Sequence, residues 1–263
     1  MAVITWSTTD LSPSGVWAFS GGNTVATEST SSSSSIRATS GKSTGKFYFE
    51  ISVSAAGTFD AFVGFIPSGV AVTNINLVSA YCLRASGWTN GFSSPFSFAS
   101  GDTIGFAVDA DAGKAWIRLN GGAWAGGGDP AAGTSPSASG LTPGVTWMPA
   151  AGADNNSTNH TFTAKFSPAT FQTAAPAGFA AISDVYQISG TVRDAAGSFA
   201  ARSVRAYVRS TGILAATAVS NATTGEYVLL VGSSDHHVVM VLPDGSETAV
   251  NAQILDRITP LLS

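Results

Sequence analysis

Cysteine occurs once in the 263 residues, at Cys82. An intramolecular disulfide is therefore impossible, and the fold must stand on packing alone. Charge is scarce as well. Only 11% of residues are Asp, Glu, Lys or Arg, and the net charge is -4, so the chain as a whole advertises no basic surface for nucleic acid. Residues 1–184 hold 7 basic and 10 acidic side chains, a balance of -3, and residues 185–263 hold 5 and 6, a balance of -1. Neither part is a polyelectrolyte, and lysine is missing from the second part altogether. No run of about 18 apolar residues occurs, so no membrane insertion is expected. Residues 1–10 lack both a basic segment and an apolar run, so no secretory signal is expected. The sequons at Asn155, Asn156, Asn159 and Asn221 then read as coincidence in a Ser/Thr-rich chain. Helical periodicity over three or more turns is missing too. So are a phosphate-cradling Gly-rich loop and a dinucleotide fingerprint.

What is present is 44% hydrophobic residues, enough for a sizeable core, and 29 glycines, which favour turns and short strands. The stretch 101–124 organises the rest. Ile104, Phe106 and Val108 alternate with Gly105 and Ala107, the period of a strand. Residues 109–113, Asp-Ala-Asp-Ala-Gly, supply turn chemistry. The return strand sets Ala115, Ile117 and Leu119 against Trp116 and Arg118, and Asn120-Gly121 closes it with a strong hairpin signal.

Further strands are expected around this hairpin: one or two in residues 1–20, one over 47–51, one from Phe59 to Phe65, and others at 80–85, 145–151 and 161–166. Phe47, Phe49 and Ile51 alternate with Tyr48, Glu50 and Ser52. Residues 28–35, Glu-Ser-Thr and then a run of five serines, read as a low-complexity surface loop. Residues 125–144 read as a long loop, and 167–183 as an extended wrap over the core. Cys82 reads as a buried, inert thiol. The architecture expected is all-β, an antiparallel β-sandwich over 1–183 followed by a smaller one over 184–263.

Five motifs in order resemble a SPRY domain: Gly45-Lys46-Phe47-Tyr48-Phe49-Glu50-Ile51, Val63-Gly64-Phe65, the hairpin 101–121, Trp147-Met148-Pro149-Ala150, and Phe162 to Phe166 followed by Phe171, Pro176, Gly178 and Phe179. Lys165-Phe166-Ser167 stands where the family has Asn-Phe-Gly. The resemblance implies a binding module whose ligands meet loops at one end of the sandwich. It points to the turn 86–92 and the loops 120–135 and 153–160, and so to Trp88, Asn90, Phe92, Trp124, Asp129, Asp154, Asn155 and Asn156 as ligand-binding residues. Loop aromatics and amides suit sugar or peptide recognition. The competing reading makes Trp88 and Trp124 caps on the core ends.

The second part is similar to transthyretin-like, carboxypeptidase-regulatory-type modules with an Ig-like fold, through Ile188-Ser189-Gly190-Thr191-Val192 and Thr224-Gly225-Glu226-Tyr227. Residues 251–260 resemble the endings of bacteriophage tail and other virion proteins. Arg205, Tyr207 and Arg209 share one strand face, a candidate protein interface. No catalytic set is expected. His236 and His237 are adjacent and so point apart on a strand, and His160 is read as a loop residue. Asp109 and Asp111 form a conceivable calcium or glycosidase pair, but both have a structural reason to sit in a turn.

These resemblances imply a non-enzymatic, oligomeric bacteriophage virion protein, assembled in the host cytoplasm, without metal or cofactor. It would be part of a tail, baseplate or fibre, contacting other virion proteins and a host-surface glycan or protein. Capsid decoration without a host ligand is the alternative.

Overall fold

The computed structural model describes residues 3–29, 33–55, 60–72, 80–154, 159–183, 186–194, 196–231, 235–243 and 253–262. The protein is all-β. Among the described residues the helical pieces are two 3-10 turns, Ala125–Gly127 and Pro168–Thr170. Residues 4–263 divide into two compact units, Ile4–Ile182 and Ser183–Ser263.

Two sheets build the first unit. One runs in the order β1 (Trp6–Leu11), β4 (Ser34–Ala38), β12 (Trp147–Ala153), β6 (Ala61–Pro67), β7 (Tyr81–Arg84), β8 (Thr89–Asn90). The other runs β11 (Ala138–Ser139), β10 (Lys114–Leu119), β9 (Thr103–Asp109), β5 (Lys46–Ala55), β13 (His160–Lys165), β3 (Val25–Glu28), β2 (Trp17–Ser20). All these pairings are antiparallel; β14 (Ala180–Ala181) alone joins β5 in parallel, beside Phe47 and Tyr48. The alternating residues of β5, β9 and β10 fill the space between the sheets. Phe47, Phe49, Ile51, Ile104, Phe106, Val108, Ala115 and Ile117 are fully buried, with Phe49 stacked on Phe106 at 4.9 Å. Burying each large apolar side chain contributes about 1.5–3 kcal/mol.

The hairpin turn is as its sequence demands. Asp109 Oδ1 accepts the Ala112 N–H at 2.9 Å, and Gly113 takes a φ of 65°. Asn120 and Gly121 both adopt positive φ, 48° and 68°, which turns the chain tightly enough that Trp124 bridges back to Arg118.

Several local expectations give way. The serine run is partly strand, because Ser34 and Ser35 pair with Ala153 and Gly152 and are fully buried. Residues 125–144 are not featureless: they hold a 3-10 turn, a bridge between Asp129 and Thr134, and β11. The strand expected from Phe59 to Phe65 is described over Ala61–Pro67, two residues longer at its end, and Phe59 lies outside the described residues. His160 is no loop residue. It opens β13, is fully buried, and its Nε2 accepts the Asp60 N–H at 3.2 Å.

Both sheets are also covered on their outer faces. On the first, Phe62, Ile66 and Cys82 pack with Val72, Ala80 and Ala150. On the second, Tyr48, Ala107 and Trp116 lie under a strap carrying Phe171, Ala175 and Phe179. Cys82 is fully buried, and burial pushes its thiol pKa well up. Thiolate, not thiol, is the reactive form. A thiol reagent is therefore expected to leave the native protein unlabelled and to modify one group per chain after unfolding in urea. Rapid native labelling would contradict this packing.

The second unit has a three-stranded sheet, β18 (Glu226–Val231), β15 (Tyr186–Thr191), β21 (Leu261–Leu262), and a four-stranded sheet, β17 (Leu214–Val219), β16 (Ser203–Val208), β19 (His237–Val241), β20 (Gln253–Ile258). Ile188, Val204, Ala206, Leu229, Val231 and Val239 form its core. The last strands are β20 and, after it, β21. His237 is fully buried, its Nδ1 2.6 Å from the Asp235 carbonyl oxygen.

Candidate functional site

Among the described residues, the β7–β8 hairpin presents the most exposed aromatic residue of the first unit. Leu83 pairs with Thr89, and the Arg84 N–H donates to the Trp88 carbonyl at 2.8 Å. Between them Gly87, at a φ of 87°, closes the turn. Trp88 therefore stands at the hairpin tip, 48% exposed. This rules out the reading in which it caps the core.

The base of the hairpin is clamped by charge. Arg84 donates from Nε and Nη2 to the two carboxylate oxygens of Asp60, both at 2.7 Å, a bidentate fork. Its Nη2 is also 2.7 Å from Asp154 Oδ2. Hydrogen bonding to Asp60, the charges of Asp60 and Asp154 and the Asp154 hydrogen bond raise the Arg84 pKa above its ordinary value, against desolvation. Ser33 Oγ donates to the other Asp154 oxygen. Asp60 directly precedes β6 and Asp154 directly follows β12, so adjacent strands β12, β6 and β7 deliver the three groups to one end of the sheet. One guanidinium thus meets two carboxylates at the base of a hairpin that carries an exposed indole.

Of the described residues singled out from sequence, the structure brings Trp88 and Asp154 to this end and places Phe92, Trp124 and Asp129 elsewhere. Phe92, expected on the surface of the turn, is drawn inward. It is 5% exposed, packs against Phe65 and Phe106, and belongs to the core. Asn90 lies in β8 opposite Cys82. Trp124 is half-buried, with the Arg118 guanidinium 4.6 Å from its ring centroid. Asp129 is exposed and shapes a turn, accepting the Ala132 N–H at 3.1 Å. Asn155 and Asn156 lie outside the described residues. In the second unit Arg205 and Tyr207 are half-buried on β16, whereas Arg209 follows the strand and pairs with Asp256 at 2.7 Å. Asp60 and Arg84 were missed by sequence reasoning. They are separated by 24 residues, and nothing local marks them as partners.

No protein-family model matches the chain, and no curated protein matches it. Among solved structures it is similar to the crystal structure of the SPRY domain of human HERC1, at 14% sequence identity and a TM-score of 0.49, over 61% of this chain and 96% of that one.

Proposed function

We propose that the protein is a non-enzymatic component of a bacteriophage virion, of tail, baseplate or fibre type. In this reading its SPRY-like first unit grips a host-surface ligand, glycan or protein, through the rim around Trp88. The observation that carries the gripping role is an exposed indole fixed at the tip of a clamped hairpin. A rigid aromatic supplies contact area at little entropic cost, and tryptophan is enriched among residues that dominate binding energy. Repeated copies in a particle would multiply a weak single contact. The virion assignment is supported by the sequence resemblance of residues 251–260. Trp88→Ala is expected to weaken attachment of the purified protein to host cells by roughly 30-fold, equivalent to about 2 kcal/mol. Stability should stay within about 0.5 kcal/mol of wild type, since the side chain is exposed. Unchanged attachment would remove Trp88 from the site.

A second reading, structural docking in the capsid without a host ligand, is favoured by a different observation. On the outer face of the three-stranded sheet, Val228, Leu230 and Leu261 are exposed at 50%, 50% and 73%. Leu230 and Leu261 both pair with Gln187, so they flank one row. Electron microscopy of the particle separates the readings by location, tail tip against capsid lattice.

A further inference from the structure

A cleft of about 390 Å³ opens at the other ends of β6, β7 and β12 from Arg84, where Pro67 ends β6, Tyr81 begins β7 and Trp147 begins β12. The edge strands of the two sheets, β8 and β11, contribute Asn90 and Ser139, and Thr142 completes the rim. We propose that this cleft is a second binding site, separate from the Trp88 rim, and that it takes one or two neutral sugar residues.

Three observations carry this. First, the lining is aromatic and hydroxylated, with no formally charged side chain among the described residues. Rings offer apolar faces to the C–H surface of a pyranose, while amides and hydroxyls both donate and accept, as sugar hydroxyls require. The hydroxyls of Tyr81, Ser139 and Thr142 make no hydrogen bond among the described residues, so they are available. Desolvation raises the Tyr81 pKa, which keeps the phenol neutral and able to donate.

Second, the aromatic wall is preorganised. Tyr81 stacks on Phe65 at 5.2 Å and meets Trp147 edge-on at 5.4 Å. Gly91 admits the ring closely: a Cβ there would lie 2.5 Å from Tyr81 Cδ1. The volume sits near the lower end of the range for small-ligand sites, about 300–1,000 Å³, which suits a mono- or disaccharide.

Third, a peptide adding as a strand is disfavoured. The edges β8 and β11 are two residues each, and the Ser93 N–H and hydroxyl both donate to the Ser137 carbonyl, at 2.6 and 2.9 Å, tying the edges together. Strand addition needs a longer free edge.

The test is titration of the purified full chain with a panel of neutral methyl glycosides and N-acetylhexosamines, followed by tryptophan fluorescence and calorimetry. A saturable response to at least one sugar is expected. Tyr81→Phe and Thr142→Val, which keep shape and remove one hydroxyl each, should weaken it about five- to tenfold. Ser139→Trp, at an exposed edge position, should abolish it by filling the cleft, while circular dichroism and melting stay as in wild type. Trp88→Ala should leave it unchanged, so this site and the Trp88 rim fail independently. The proposal is overturned if no neutral sugar gives a saturable response, if Ser139→Trp binds like wild type, or if a neutral peptide library binds in the cleft where sugars do not.

Discussion

Replacing Arg118 with methionine is expected to cost the first unit about 3–5 kcal/mol, the usual result of removing one partner from a buried charged network. Arg118 and Glu50 are 6% and 1% exposed, and they are joined through Tyr48. The Tyr48 hydroxyl donates to Glu50 Oε1 at 2.6 Å and accepts from Arg118 Nη2 at 2.7 Å. The same two charges hold the strap. Glu50 accepts the Gln172 N–H at 2.6 Å, and Arg118 Nη2 donates to the Ala174 carbonyl at 3.0 Å. Methionine keeps most of the apolar stem but leaves the Glu50 charge buried without its counterpart. At about 2–4 °C per kcal/mol for a domain of this size, the melting temperature should fall by roughly 6–20 °C. Glu50→Gln in the R118M background should recover part of the loss. If R118M melts with wild type, the network does not hold the strap.

The same network sets an alkaline limit. Burial, then the hydrogen bond to Glu50, raises the Tyr48 pKa above its ordinary value of about 10. The folded pKa exceeds the unfolded one, so this contribution is intact below pH 10 and is lost as pH rises through and beyond that point. Tyr48→Phe should flatten the fall in stability above pH 10, as read from urea midpoints across a pH series.

The centre of the fold was legible because its signals are local. The alternation in 104–108 and 115–119 and the turn residues at 109–113 and 120–121 each settle their own conformation. What escaped depends on distant parts of the chain. Tyr48 and Glu50 read as the polar face of a strand, yet the strap from 171–179 buries them, and Glu50 is neutralised by a residue 68 positions away. Gly105 shows why the second glycine of Gly101-Asp-x-Ile-Gly is there: it sits between Glu50 and Arg118 in the ladder, and a Cβ would lie 2.5 Å from the Tyr48 hydroxyl. Phe92 read as a loop aromatic because glycine, asparagine and serine surround it, while Phe65 and Phe106 decide its burial. The cleft draws Tyr81, Asn90, Ser139 and Trp147 from separate strands, so no local pattern could have marked it.

Gly64→Ala should have the broadest effect of any single methyl group, because it strikes the strand that serves both proposed sites. Gly64 pairs with Cys82 between β6 and β7. A Cβ there would press into the Tyr81 carbonyl oxygen, well inside contact distance, and lie 2.9 Å from the Cys82 Cα. Both obstacles are backbone, so no side chain can swing away; β7 itself must retreat. That strand begins with Tyr81 at the cleft and ends with Arg84 at the base of the Trp88 hairpin. The expected cost is about 3 kcal/mol, the upper part of the range for overpacking. Cys82 should become reactive toward thiol reagents under native conditions as its covering strand pair opens. Sugar binding and host attachment should weaken together, unlike the separate losses expected of Ser139→Trp and Trp88→Ala. A Gly64→Ala protein with wild-type stability and a protected Cys82 would show that β6 and β7 have room to spare, and would cut the link between them and the two sites.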